Sequence, residues 1–171
     1  MKAAAAGSIP ASVIFPLLKA SEASMNIKGL DGREYKLKLS KKIIYQDDAR
    51  ARSSGHMAAR EILNRNFTFD EVYEEVFLAG CPTELYLDFF IVRLKLAVEV
   101  QGKQHREFTP FYHGNKLGFI EQKKRDASKL EWCNLNGFKL LKWDDDVSPT
   151  EWERGLGVFI PIAARINGEL S

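Results

Sequence analysis

The pattern of apolar and polar residues predicts a β-hairpin near the start of the chain and a helix after it. Residues 26–45 alternate between apolar and polar positions on either side of an Asp-Gly pair at 31–32, which is typical of a hairpin turn. In the second arm, Lys36 and Lys38 share one face because they are two residues apart. Apolar positions from 57 to 63 have helical spacing, which predicts a helix over about 54–65.

Three strands, a long helix, a fourth strand and a last helix are predicted for the rest of the chain. The strand segments 72–78, 85–91 and 96–101 are rich in β-branched and aromatic residues. After a loop over 102–114, a helix over 116–136 ends at Gly137, and a strand follows over 138–143. The segment from Ser148 to Glu151 has capping-box spacing with proline at the first helical position, so a helix begins there.

This order of elements predicts an α/β protein with one mixed central β-sheet flanked by helices. A length of 171 residues indicates a single domain. We divide the chain into a loosely ordered or helical leader at 1–25, a basic β-hairpin at 26–48, a core at 49–147 and a C-terminal helix at 148–171. The leader has some features of a secretory signal, but two prolines interrupt its apolar stretch.

The composition is that of an ordinary globular protein, with 45% hydrophobic and 28% charged residues. No apolar run reaches the roughly 18 residues that a membrane-spanning helix needs, so we expect no membrane partner. The two cysteines, Cys81 and Cys133, match no zinc motif. We expect both to be reduced, which favours the cytoplasm.

The net charge of +2 identifies no partner, but the charge is unevenly distributed. From Lys28 to Arg65 there are ten basic residues against five acidic ones, whereas from Phe67 to Val92 there are six acidic residues and no basic one. A basic flank beside an acidic segment suits a phosphate-binding surface next to metal-binding carboxylates. Random scatter of solvated charge would give the same counts, so both interpretations stay open.

Two carboxylates in the middle strands are the strongest candidates for chemistry. If the second and third strands pair antiparallel about the turn between them, Asp88 lies opposite Glu99, with Cβ atoms about 5 Å apart. Two carboxylates this close repel each other unless a cation lies between them. Gln101 shares the face of Glu99 because it is two residues further on. This set predicts a site for Mg²⁺ (or Mn²⁺), which stabilises the transition state of phosphodiester hydrolysis.

Further candidates lie on the loop and on the long helix. His105, four residues after Gln101, can transfer a proton near neutral pH. By helical spacing, Gln122, Asp126 and Lys129 share a side, which either faces the site or is an ordinary solvated face. In the first case, Asp126 orients a water or a histidine and Lys129 meets a phosphate. Additional candidates for DNA contacts on the hairpin, loop and helix are Lys36, Lys38, Lys103, Arg106, His113, Lys116, Lys124 and Arg125.

These residues resemble a known nuclease superfamily. Asp88 followed by Glu99-Val100-Gln101 is similar to the restriction-endonuclease-like, or PD-(D/E)xK, core, in which Asp is followed by Glu-x-Lys; Gln101 stands where lysine is usual. A closer resemblance is to the very-short-patch-repair-like branch, which includes phage homing endonucleases with an EDxHD signature. Asp88, His105 and Asp126 match the D, H and D that follow the first glutamate of that signature. The resemblance rests on segments 87–90, 99–105, 125–129 and 136–138.

The first glutamate of that signature has several candidates. Members often carry Ser-x-Gly-Glu at the start of the first helix, where this chain has His56 after Ser53-Ser54-Gly55. Glu61, one turn or more further along the helix, is the first alternative as a catalytic residue. Glu84 and Glu75 are the others.

The resemblance implies a restriction-endonuclease-like core and a metal-dependent, site-specific endonuclease that cleaves double-stranded DNA, in the host-cell cytoplasm if it is phage-encoded. Two alternatives keep the same fold: a mismatch-directed repair nickase and a non-catalytic DNA-binding module. A third is a structural or assembly protein whose acidic strands only pair. A homodimer would place one active site on each DNA strand, although sequential nicks by a single active site would also cut both DNA strands.

Overall fold

The computed structural model describes residues 23–39, 52–102 and 116–162. The first described element is the predicted antiparallel hairpin, made of β1 (Ala23–Lys28) and β2 (Glu34–Leu39). Its turn contains Gly32 with φ 79°, a left-handed conformation that glycine adopts without strain. The hairpin is confirmed, but β1 begins at residue 23, inside the segment predicted as leader.

In the part of the chain that the structure describes, a four-stranded mixed sheet lies between the helices, in the order β3-β4-β5-β6. Its strands are β3 (Tyr73–Phe77), β4 (Tyr86–Ile91), β5 (Leu96–Gln101) and β6 (Lys139–Asp144). The first three pair antiparallel and β6 pairs parallel to β5. A parallel pair needs a crossover connection, and the long helix between β5 and β6 provides it.

Within the described residues, three α-helices flank the sheet: α1 (Ser54–Asn66), α2 (Lys116–Leu135) and α3 (Pro149–Gly155). The Ser53 hydroxyl caps α1 by accepting the backbone N–H of His56 at 3.1 Å. The Ser148 hydroxyl likewise accepts the N–H of Glu151 at 3.4 Å at the start of α3. The predicted bounds of α1, α2 and the four strands agree with the structure to within one residue.

The single helix predicted over 148–171 is wrong, because α3 ends at Gly155. Glycine carries a high entropic cost inside a helix, and a second glycine, Gly157, follows two residues later. Among the described residues, no helix is long and apolar enough to cross a membrane.

Two hydrophobic cores lie on opposite faces of the sheet. Helices α1 and α3 cover one face, where residues such as Leu63 and Trp152 pack against Leu96 and Val98 of β5. Helix α2 and the hairpin belong to the other core, which contains Ala97 together with Trp132 of α2 and Ile27, Leu37 and Leu39 of the hairpin. Alternation along β5 therefore separates its side chains between the two cores.

Candidate carboxylate site

The register of β4 and β5 brings the two predicted carboxylates together. Phe89 lies opposite Val98, so the same register places Asp88 opposite Glu99, as predicted. Glu99 Oε1 accepts the backbone N–H of Asp88 at 3.2 Å, and Asp88 Oδ2 accepts the N–H of Val100 at 2.8 Å. Each carboxylate thus binds a backbone amide of the other strand at the end of their ladder, which fixes the orientation of both side chains.

Glu99 and Gln101 face α2. Their neighbour Ala97 belongs to the core with Trp132, and alternation along the strand puts residues 99 and 101 on the same side. Both side chains are buried. Asp88 is held beside them by its hydrogen bonds with β5, since its N–H donates to Glu99 Oε1 and its Oδ2 accepts the N–H of Val100.

Helix α2 turns its polar side toward these carboxylates. Lys129 Nζ donates to Glu99 Oε2 at 2.7 Å. One turn earlier, Asp126 is buried and accepts a hydrogen bond from Gln122 Nε2 at 3.0 Å. Of the two alternatives for this side of the helix, the structure has the inward-facing one. Lys129 was predicted to meet a phosphate, and its pairing with Glu99 was not predicted.

Two buried glutamates differ in how well their charge is compensated. Burial raises the pKa of Glu99 to about 7, the charge of Asp88 adds to the rise, and Lys129 opposes both only in part. Burial also acts to raise the pKa of Glu74, but hydrogen bonds from His56 and Arg60 outweigh it and the pKa is lowered. Glu74 is therefore a satisfied structural carboxylate, whereas Glu99 carries a charge that its surroundings disfavour. A raised pKa beside a second carboxylate is typical of functional sites.

The donor set fits a hard divalent cation. A cation between Asp88 and Glu99 would offset the burial of the Glu99 charge and relieve its repulsion from Asp88, the two causes of the raised pKa of Glu99. Within the described part of the chain, no group of three or more His, Cys, Asp or Glu residues is assembled around a common point. Two carboxylates are enough for Mg²⁺, which commonly keeps several waters and completes its coordination with substrate phosphate oxygens.

The structure does not bring Glu61 to this site. Glu61 is exposed on α1, and the buried residues of that helix pack on the opposite face of the sheet. Helical periodicity placed it on the correct element, but which face of the sheet α1 covers is decided by tertiary packing. His56, at the position where the resembled nucleases carry glutamate, points into the protein and lies 2.6 Å (Nε2) from Glu74 Oε1.

Among the candidates for the first glutamate of the signature, Glu75 lies beside Asp88 in the sheet. Glu74 pairs with Phe89 and Val76 with Leu87, so the position opposite Asp88 is Glu75. It has φ 50°, a left-handed conformation that costs energy for a residue with a side chain. Its carboxylate forms an ion pair with Arg52, just before α1. Nothing in the local sequence signals this conformation. Glu84, the remaining alternative, is exposed before β4.

The predicted DNA contacts fall into three groups. Lys36 and Lys38 are exposed on the outer face of the hairpin, opposite Asn26 and Ser24, while Leu37 is buried on the inner face. On α2, the exposed candidates are Lys116, Lys124 and Arg125. The remaining predicted residues, His105, Lys103, Arg106 and His113, lie outside the described residues.

An unpredicted contact fixes the hairpin to the body. The Asn136 side chain accepts the backbone N–H of Lys28 at 2.7 Å and donates to the Lys28 carbonyl at 2.9 Å. The amide of Asn136 thus pairs with β1 as a neighbouring strand would. The basic outer face of the hairpin is therefore held in one orientation relative to α2.

Comparison with known proteins finds partial similarity to viral proteins. No protein-family model matches the chain, and no solved structure matches it. Uncharacterized protein 307L of Invertebrate iridescent virus 6 is 41% identical over 58 residues, which is 34% of this chain and 29% of that protein. Uncharacterized protein 033L of Invertebrate iridescent virus 3 is 40% identical over 58 residues, covering 34% and 30%.

A third relative is uncharacterized protein 094L of Frog virus 3 (isolate Goorha), 37% identical over 59 residues, with 34% of this chain and 38% of that protein covered. The similarity therefore spans about a third of the length of each of these relatives.

Proposed function

We propose that this protein is a divalent-cation-dependent endonuclease that hydrolyses phosphodiester bonds in double-stranded DNA, with its active site at Asp88 and Glu99. The observation that carries the proposal is this pair of carboxylates on adjacent strands, one of them buried with a pKa raised to about 7. A protein without use for such a pair would be more stable with a neutral residue in place of one member. The resemblance of the surrounding motifs to restriction-endonuclease-like nucleases supports the same assignment.

Each residue of the site has a role in this proposal. A divalent cation, when bound, polarises the phosphate and lowers the pKa of a water. Asp88 and Glu99 hold the cation, and the backbone amides of residues 88 and 100 hold the two carboxylates in place. Asp126 lies on the α2 side of the site, where it orients a water or a histidine.

Hydrolysis requires two proton movements. The water oxygen forms a bond to phosphorus, the bond from phosphorus to the leaving oxygen breaks, the water gives up a proton and the leaving oxygen takes one up. His105 is the predicted residue for one of these transfers, at a ring nitrogen. It follows β5 by four residues, which is close enough in the chain to reach the end of the strand that carries Glu99.

We further propose that cleavage is site-specific, as in the homing endonucleases that the motifs resemble, and that it takes place in the cytoplasm of a host cell. Mismatch-directed nicking would use the same residues, so the substrate distinguishes the two activities. One active site per chain suits a homodimer for cleavage of both strands, or two successive nicks by a monomer.

The test is cleavage of supercoiled plasmid DNA by the purified protein with Mg²⁺ and with EDTA. We expect nicked or linear product only with Mg²⁺. Asp88→Asn and Glu99→Gln keep the shape of each side chain, and both should abolish cleavage while DNA binding in a mobility-shift assay is retained. Glu131→Gln, an exposed residue of α2, is the matched control and should cleave normally.

The outcomes separate the alternatives. Full cleavage by Asp88→Asn or Glu99→Gln would disprove the assignment of the site. Binding of DNA without cleavage by the wild type would support a non-catalytic DNA-binding module, and neither activity would support a structural protein. Sequencing of the ends from a mixed library with and without mismatches then distinguishes a site-specific endonuclease from a repair nickase.

A further inference from the structure

We infer that Lys129 on α2 is the functional ammonium group of the carboxylate site, in place of a lysine at position 101 of β5. The inference rests on the proposed function and adds a residue to it. In this assignment Lys129 offsets part of the cost of the Glu99 charge in the cation-free protein. In the complex with DNA, its ammonium donates to the reacting phosphate or to the attacking water.

The contact between Lys129 and Glu99 is close and shielded from water. Nζ lies 2.7 Å from Glu99 Oε2, and the two side chains are 15% and 5% exposed. Within residues 23–39, 52–102 and 116–162, no other lysine or arginine forms an ion pair with Asp88 or Glu99. An ammonium group in such surroundings loses much of its hydration, so its position has a cost that a surface lysine does not have.

The helix that carries Lys129 is fixed against the sheet. Trp132, one turn later on the same side, is fully buried, and its Nε1 donates to the carbonyl of Ala79 at 3.1 Å. Its ring also stacks on Phe138 with centroids 6.2 Å apart. The packing of α2 therefore positions Lys129 beside Glu99, and no bound ligand is needed to keep it there.

Position 101 cannot provide a positive charge. Gln101 is buried on the same face as Glu99, two residues further along β5, and its amide is neutral. Phosphoryl transfer builds up negative charge on the phosphate oxygens, which a fixed cationic donor stabilises. Lys129 and a hypothetical lysine at 101 approach the same carboxylate from the helix and from the strand, so one can replace the other.

The ammonium and a divalent cation also compete for Glu99. Oε2 is engaged by Nζ and Oε1 by the backbone N–H of Asp88, so a cation that binds Glu99 must share or displace one of these contacts. Loss of the positive charge at 129 should therefore tighten cation binding even as it slows cleavage. If Lys129 only stabilised the packing of α2, its removal would weaken both cation binding and cleavage.

The experiment uses the full chain and four variants: Lys129→Gln, Lys129→Met, Gln101→Lys with Lys129→Gln, and Lys123→Gln as the control on the exposed side of α2. Thermal unfolding establishes that each is folded, and the methionine variant preserves the apolar stem if glutamine disrupts packing. Mn²⁺ affinity is measured by electron paramagnetic resonance at pH 8, and single-turnover cleavage is measured with Mg²⁺.

We expect Lys129→Gln and Lys129→Met to lose about a hundredfold or more in cleavage rate, as when one transition-state donor is removed. Both should bind Mn²⁺ about tenfold more tightly, because a neighbouring positive charge is gone. The double variant should regain at least about tenfold of the lost rate, and Lys123→Gln should match the wild type.

Cleavage by folded Lys129→Gln or Lys129→Met at the wild-type rate would overturn the inference, and so would a double variant that recovers none of the loss. If the wild type itself does not cleave DNA, the proposed nuclease function fails separately. In that case Mn²⁺ affinity decides the role of Lys129 at the carboxylates: tighter binding by Lys129→Gln supports it, and unchanged or weaker binding overturns it.

Discussion

The charge on Glu99 should destabilise the folded protein, and Glu99→Gln should reveal by how much. The pKa of this carboxyl rises from 4.5 in the unfolded chain to about 7 in the folded protein, because of burial first and Asp88 second. Between these values the folded protein holds a proton that the unfolded chain has lost. Stability therefore falls as pH rises from about 4.5 to about 7, and the full cost above pH 7 is about 3 kcal/mol.

Glutamine has the shape of a protonated glutamate and does not ionise. At pH 8 without divalent cations, Glu99→Gln should therefore unfold with a free energy about 3 kcal/mol larger than that of the wild type. At pH 5 the difference should shrink to about 1 kcal/mol or less, since the folded wild type is then protonated as well. The partner Lys129 is included in this balance, because its attraction already acts on the pKa of Glu99.

The assay is urea denaturation at pH 5 and pH 8 in EDTA, followed by the fluorescence of the buried tryptophans. Titrating groups that do not interact with Glu99 cancel in the difference between variant and wild type. Glu74→Gln is the matched control with the opposite sign, because the pKa of Glu74 is lowered in the folded state. Removal of the Glu74 charge leaves Arg60 and His56 without their buried carboxylate. We therefore expect the free energy of unfolding to fall by about 3–5 kcal/mol.

A Glu99→Gln variant that is no more stable than the wild type at pH 8 would refute this reasoning. The same holds if the gain is equal at pH 5 and pH 8, because the effect would then not come from ionisation. Mg²⁺ gives a further check: if it binds between the carboxylates, it should stabilise the wild type and leave the variant unchanged.

Two further predictions concern the approach of DNA to the site. His105→Ala should lower the single-turnover cleavage rate by about 10²–10⁴-fold while Mg²⁺ affinity is kept; a weaker affinity with an unchanged saturated rate would make His105 a cation ligand instead. The double variant Lys36→Ala, Lys38→Ala should lower the slope of log affinity against log salt by about 1.8, since each phosphate contact contributes about 0.9. Removal of the exposed lysines Lys123 and Lys139 is the control for that series. An unchanged slope for the hairpin variant would show that Lys36 and Lys38 do not contact DNA phosphates.

Local sequence was sufficient for the elements and for the carboxylate pair. Alternation around Asp31-Gly32 predicted the hairpin, because the turn chemistry and the two-residue period act over neighbouring residues. The opposition of Asp88 and Glu99 could be predicted for the same reason: a short connection leaves an antiparallel pair almost no choice of register. The capping serine at 148 likewise marked the start of α3.

Tertiary packing alone decided what surrounds those carboxylates. Helical spacing put Glu61 and Lys129 on helices, but it could not say which helix covers which face of the sheet. The burial of Trp132 fixes the position of α2 over Glu99, and the burial of Leu63 fixes α1 on the opposite face of the sheet. The left-handed backbone at Glu75 and the docking of Asn136 on β1 also join segments far apart in the chain. Such contacts depend on which apolar surfaces fit together, because hydrophobic burial has no direction of its own and only the complete packing selects the partners.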